Sequence, residues 1–123
     1  MDVVRVLLVD DQPTFMHALA SVVVETPGFV VVGRASSGEE CLQLVEEVDA
    51  GLVLLDVNLP GMDGVEVARR LRIRGDRPVV VLLSTYDQDA GDRFVLESGA
   101  KAYLTKSAFE PDLLTRMWVQ WSG

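Results

Sequence analysis

Residues 54–64 read LLDVNLPGMDG. An apolar run ends on Asp56, and the chain then enters a segment holding one Pro, two Gly and a second Asp. A chain that only had to turn needs no acid at the tip of a buried strand, because a carboxylate there gives up much of its hydration. Pro60, Gly61 and Gly64 supply the turn. The purpose of Asp56 has to come from the segments that share its edge.

Five short apolar segments recur along the chain: VVRVLLV (3–9), FVVVG (29–33), LVLL (52–55), VVVLL (79–83) and AYL (102–104). They are rich in β-branched residues and mostly unalternating, the pattern of strands covered on both faces of a parallel sheet. Helical segments lie between them. The first carries Phe15, Ala18, Leu19, Val22 and Val23 at helical spacing and is stopped by Pro27-Gly28. The second repeats that stripe with Cys41, Leu44, Val45 and Val48, and opens on Ser36 or Ser37 with Glu39 or Glu40 three residues on, a capping box. Asp63 with Glu66, and Ser107 with Glu110, offer the same arrangement for the third and fifth helices. The fourth runs from about Asp87 to Ser98, with a thin apolar face and Gly91 in its interior, which costs helix propensity. Strand and helix alternate five times, which predicts a doubly wound α/β fold with right-handed crossovers.

A length of 123 residues suits one domain, spanning 1–123, with no repeat or linker. The single Cys41 permits no internal disulfide and falls on the apolar stripe of the second helix, so it reads as core in a reducing compartment. The opening MDVVRVLLVDD is broken by Arg5 and closed by two acids, which fits neither a signal peptide nor a membrane span and points to the cytoplasm. Eleven Lys and Arg against nineteen Asp and Glu give a net charge of −8. Such a surface repels nucleic-acid phosphate, so no nucleic acid is expected to bind this domain alone.

In a doubly wound sheet, ligands bind beyond the carboxyl ends of the strands. There the first strand brings Asp10 and Asp11, the third Asp56, the fourth Ser84 and Thr85, and the fifth Thr105 and Lys106. Three carboxylates that close repel one another, and burial raises the cost of their charge. A hard divalent cation such as Mg²⁺ suits oxygen-only ligands: Asp10, Asp11, Asp56 and the Asn58 backbone carbonyl, leaving positions for phosphoryl oxygens. Asp56 is then a nucleophile that attacks phosphorus. Lys106 balances the charge gathering on the transferred group, and the Ser84 hydroxyl can donate to it. Singly these residues have bland readings. One acid before Pro13 could cap a helix, Lys106 could be a surface lysine, and Ser84 a turn residue. Two adjacent acids exceed what a cap requires, and the joint placement at successive strand ends is what carries the chemistry.

These residues resemble the receiver domain of two-component response regulators, from about Val4 to Trp121. The resemblance rests on the Asp10-Asp11 pair, the DVNLPGMDG segment with Asp56, Ser84 in LLSTYD and Lys106 in AYLTK. The QP after the acids, STYD and GAKAYLTKS are most similar to receivers of helix-turn-helix (LuxR/NarL-type) regulators. The resemblance implies a flavodoxin-like (βα)5 fold with strand order 2-1-3-4-5, and a sensor histidine kinase or a small phosphodonor as source of the phosphoryl group. It also implies a switch in which phosphate draws Ser84 inward, Thr85 flanks the site, and Tyr103 rotates toward the vacated space. The face of the fourth helix, fifth strand and fifth helix would change with it, toward an output in transcription. The alternative for Tyr103 is an ordinary half-buried strand tyrosine.

Two departures stand out. Ser107 follows Lys106 where many receivers have Pro, so no cis peptide is expected there. Thr85 is bulkier than is usual at its position, which could restrict access to the phosphoryl site. A chain of this length is either a stand-alone receiver or a piece of a longer regulator. His17 beside the first apolar stripe reads as structural or solvated. Leu113, Leu114, Met117, Trp118 and Trp121 follow helical spacing onto the sheet, with Trp118 or Trp121 as an alternative surface for a homodimer or partner. Arg69, Arg70, Arg72, Arg74 and Arg77 form a local basic cluster that reads as a solvated face.

The leading reading is a self-modifying switch, not a turnover enzyme. A phosphohydrolase with an aspartyl nucleophile would want an acid two residues beyond it, where this chain has Asn58. A flavin carrier would want a small, hydroxyl-rich loop after the first strand, where DDQPT is acidic. An unphosphorylated interaction module is the remaining alternative.

Overall fold

The computed structural model describes residues 2–122, so Met1 and Gly123 of the expected domain lie outside the described residues. Strands β1 (Val4–Val9), β2 (Phe29–Ala35), β3 (Leu52–Asp56), β4 (Val79–Ser84) and β5 (Ala102–Thr105) alternate with helices α1 (Pro13–Glu25), α2 (Gly38–Glu47), α3 (Gly64–Ile73), α4 (Gln88–Ser98) and α5 (Pro111–Ser122). All strand pairs are parallel, in the order β2-β1-β3-β4-β5. The order reverses at β1 and β3, which leaves a crevice above their carboxyl ends.

Two apolar layers sandwich the sheet. On one side α2, α3 and α4 bury Cys41, Val45, Val67, Ala68 and Leu71 against Val53, Leu55 and Leu82. On the other, α1 and α5 bury Leu19, Val23, Leu114 and Trp121 against Val6, Leu8, Leu54 and Val81. Strand β3 is buried along its whole length, as its unbroken run LVLLD requires. Coverage on both faces does not extend to β2, where Val30 and Arg34 are exposed and only Ala35 is buried. β2 is the edge of the sheet and its outer flank meets water.

The helix starts follow local chemistry. Ser37 accepts the Glu40 N–H at 3.2 Å, and Glu40 reaches back to the Ser36 N–H at 2.7 Å. Asp63 caps α3 through the Glu66 N–H at 2.9 Å, and Asp87 caps α4 through the Ala90 N–H at 2.9 Å. The Ser107–Glu110 box does not form. Lys106–Ala108 make a single 3-10 turn, and α5 begins at Pro111, whose fixed φ suits a first helical position. The peptide bond after Lys106 is trans; the cis bond among the described residues is Arg77–Pro78.

Two further differences concern packing. The buried stripe of α1 is Met16, Leu19, Ala20 and Val23, with Ala18 exposed, so the helix is turned by about one residue from the expected face. Phe15 is thereby freed from the core stripe. Gly91 is required by close approach: a Cβ there would overlap the Tyr103 ring. The thin apolar face of α4 lets that helix lie directly on β5.

Candidate functional site

The loop after β3 explains the opening segment. Gly64 carries no side chain because a Cβ would collide with the Asp56 carbonyl, and its N–H donates to the Val57 carbonyl at 2.8 Å. Gly61 takes φ +71 in the same turn. The chain therefore folds back at once onto α3 and leaves the Asp56 carboxyl at the open end of the sheet.

Three carboxylates meet there. Asp10, Asp11 and Asp56 each offer an oxygen within 4.8 Å of the others. Asp10 and Asp56 are buried, at 2% and 4% exposure, while Asp11 faces solvent. Lys106 reaches between the buried pair, its Nζ donating to Asp10 Oδ2 at 3.0 Å and lying 3.5 Å from Asp56 Oδ2. Asp10 also accepts the Gln12 N–H at 2.8 Å, so it supports the chain ahead of α1 as well as the charge cluster. Burial and the neighbouring Asp10 charge push the Asp56 carboxyl above its ordinary range, against the opposing pull of Lys106 and the Asn58 N–H. One ammonium does not neutralise three acids. The cluster supplies only hard oxygen donors with one open, solvent-facing member, which fits a divalent cation of the Mg²⁺ type.

Ser84 is buried at the end of β4 and accepts a hydrogen bond from Asn58 Nδ2 at 3.3 Å. Thr85, next in the chain, is exposed at the rim. Tyr103 is 3% exposed, not half-buried. Its ring packs beneath Gly91, and its hydroxyl donates to the Tyr86 carbonyl at 2.6 Å. The inward position that the switch reading assigned to it is thus already filled.

Two residues escaped the sequence reading. Tyr86 donates to Asn58 Oδ1 at 3.2 Å and stacks edge-on to Phe94, which in turn meets Tyr103. Its place two residues after Ser84 in STYD was the available signal. Phe15 presents its ring to Lys106 Nζ, 4.1 Å from the centroid. Its helical spacing had pointed to the core instead.

Other candidates stay away from the site. His17 is exposed. Each of the five clustered arginines pairs with an acid: Arg69 and Arg70 with Glu66, Arg72 with Asp76, Arg74 with Glu46, and Arg77 with Asp49. These pairs lie on the solvated surface, as the sequence led one to expect. Trp121 is buried and Trp118 lies edge-on to Phe29 at 5.9 Å, so Trp121 presents no surface; the exposed apolar residue of α5 is Val119. No helix among the described residues is long and apolar enough to cross a membrane.

An aspartate cluster with a lysine at the strand ends of a 2-1-3-4-5 sheet is the arrangement of a phosphoryl-accepting switch. The chain belongs to the response regulator receiver domain family, whose model matches residues 6–117. It is 38% identical over 111 residues to the nitrate/nitrite response regulator protein NarL of Escherichia coli, covering 89% of this chain and 50% of that protein. It is 41% identical over 103 residues to the transcriptional activator protein ExaE of Pseudomonas putida, covering 84% and 48%. Among solved structures, the signal receiver domain of the putative response regulator NarL from Mycobacterium tuberculosis superposes with a TM-score of 0.88 at 30% identity, covering 100% of this chain and 99% of that one. The chain spans about half the length of the curated relatives it matches.

Proposed function

We propose that Asp56 is the phosphoacceptor of a two-component pathway, and that its modification reads out on the face of α4, β5 and α5. The observation that supports this most is the grouping of the buried Asp56 carboxyl with Asp10, Asp11 and Lys106 at the open end of the sheet. An Asp56 oxygen attacks phosphorus and forms a C–O–P linkage, while the bond from phosphorus to its donor breaks and the leaving group departs with that electron pair. For a histidine kinase that bond is P–N; for acetyl phosphate it is P–O. Lys106, 3.5 Å from Asp56 Oδ2, would offset the charge of the incoming phosphoryl oxygens. Asp10, Asp11, Asp56 and the Asn58 carbonyl would hold Mg²⁺, which would supply charge neutralisation and a template for the oxygens.

The Ser84 hydroxyl, which now accepts from Asn58, turns to donate to the phosphoryl group. The turn moves Ser84 Oγ away from Asn58 Nδ2 and weakens that bond, and because the Tyr86 hydroxyl donates to Asn58, the change passes to the Tyr86–Phe94–Tyr103 cluster beneath α4. Phosphorylation would stabilise one arrangement of this cluster over another. We read the output as transcription, as in the regulators that the chain resembles, acting in the cytoplasm and through a homodimer. The chain modifies itself and does not turn over external esters, since Asn58 stands where a general acid would be needed.

Incubation with acetyl phosphate and Mg²⁺ tests the reading. Intact-mass measurement should show one phosphoryl group per chain, none in Asp56→Asn, and gel filtration with beryllofluoride should report any change of assembly. Sustained phosphate release from small esters would favour a hydrolase, and bound Mg²⁺ without labelling of Asp56 would favour an interaction module.

A further inference from the structure

The ammonium of Lys106 has three N–H groups. Asp10 takes one, and Asp56 lies on a second side. The third side faces the ring of Phe15, 4.1 Å from Nζ to the centroid. A lysine head on a four-carbon stem gains by swinging into water, and at 12% side-chain exposure this one lies close enough to solvent to do so. An aromatic face opposes that escape, because the ring quadrupole attracts a cation without competing for its hydrogen bonds.

Phe15 is fixed well enough for this task. It stands in the first turn of α1 behind Pro13, and its body packs against the apolar layer beneath α1 and α5. It lies off the buried stripe of α1, which runs Met16, Leu19, Ala20 and Val23. Core packing thus holds one side of the ring, and the ring face stays available to the Lys106 ammonium.

We propose that Phe15 is a positioning residue: its ring face holds the Lys106 ammonium, by cation–π attraction, at the point from which it serves the phosphoryl group on Asp56. The proposal rests on the reading of Asp56 as phosphoacceptor. When the attacking oxygen becomes esterified, one of the two carboxylate partners of Lys106 changes its charge and shape. The ring does not, so Phe15 remains the constant partner through the transfer. Leucine at position 15 would fill volume without attracting the cation.

Two measurements separate the contact from its consequence. In the unmodified protein, the ε-methylene protons of Lys106 should show a ring-current upfield shift that vanishes in Phe15→Leu. With saturating acetyl phosphate and Mg²⁺, Phe15→Leu should label Asp56 about fivefold more slowly, equivalent to ~1 kcal/mol. Phe15→Tyr and Phe15→Trp should recover most of that rate. Successively fluorinated phenylalanines at position 15 keep the ring's shape while draining its face of charge, and the rate should fall step by step while the urea midpoint stays constant. A rate indifferent to fluorination, with the wild type labelling normally, would overturn the proposal and leave the phosphoacceptor reading intact. Failure of the wild type to label would overturn the phosphoacceptor reading, and the positioning role with it, even where the ring-current shift persists.

Discussion

Replacing Asp56 by Asn should make the metal-free chain more stable at neutral pH, although it removes the central residue of the site. The charged carboxylate at 56 repels Asp10 by at least about 3.5 kcal/mol at a separation within 4.8 Å and an effective dielectric of about 20. Lys106, 3.5 Å away, returns about 5 kcal/mol on the same scale. Exposed Asp11 adds about 1 kcal/mol of further repulsion, for which a dielectric near that of water is appropriate. These contributions nearly cancel, so the cost of burying the charge decides the sign. The upward displacement of the Asp56 carboxyl, with burial as its leading cause, puts the balance on the unfavourable side. We expect a gain of about 1 to 2 kcal/mol in Asp56→Asn, at the lower end of what replacing buried charge returns.

The pH dependence follows from the same displacement. A carboxyl that holds its proton more tightly in the folded chain than in the unfolded one favours folding most below 3.8, its ordinary value. That contribution is lost as pH rises through the elevated native value. The advantage of Asp56→Asn should therefore be absent in acid, grow across that interval and be complete above it. Urea denaturation followed by tryptophan fluorescence, at low salt with divalent ions chelated, measures the difference at constant slope. Added Mg²⁺ should narrow the gap by stabilising the wild type selectively. A variant no more stable than the wild type at neutral pH would refute the claim that charge at 56 opposes folding.

The remaining expectations concern packing and charge. Gly91→Ala should destabilise by about 1 to 3 kcal/mol, because a Cβ would overlap the Tyr103 ring, whereas helix propensity alone would gain about 1 kcal/mol; the sign of the shift in urea midpoint decides between them. Lys106→Met should cost about 3 kcal/mol by leaving Asp10 and Asp56 uncompensated. Combining it with Asp56→Asn should recover part of that loss, and strictly additive effects in a double-mutant cycle would contradict the coupling. Burial pushes the Cys41 thiol up to about 12, so a disulfide reagent at mildly alkaline pH should label it only on unfolding. Rapid labelling of the native chain would show an opening of α2.

Much of this architecture is legible from local pattern. The run LVLL reads as a strand covered on both faces, and Asp63 with Glu66 marks the start of α3, whereas the choice of Ser37 over Ser36 and the cap by Asp87 came from the structure. Asp10, Asp56, Ser84 and Lys106 could be placed on one edge because parallel strands all end there. What pattern could not supply was rotation about a helix axis and contact between side chains far apart in sequence. In α1, Phe15 and Met16 both fit an apolar period, and only packing against the sheet chose Met16 for the core. Gly91 looked like a weakness because propensity counts a residue's own backbone and ignores the ring that lies beneath it. The Ser107–Glu110 box failed for a similar reason: Pro111 fixed the start of α5 after the chain had already turned at Lys106–Ala108.

Strand β5 carries the last step. It has four residues and pairs only with β4, matching Leu82 to Tyr103 and Ser84 to Thr105. Alternation along so short a strand sends Tyr103 into the layer under α4 and Leu104 into the layer under α1 and α5. Lys106 follows at once, bent by the 3-10 turn over Phe15 and toward Asp56. The residue that meets α4 and the residue that meets the acids are thus three positions apart, one on the edge strand and the other in the turn that directly follows it. A shift of β5 along β4 cannot move one without the other. Lys106 lies 3.5 Å from Asp56, and the same segment carries Tyr103 against Gly91, where a Cβ would overlap the ring. Packing that tight leaves little room for Tyr103 and α4 to move independently of each other, whereas a looser core with alanine-sized gaps would separate them.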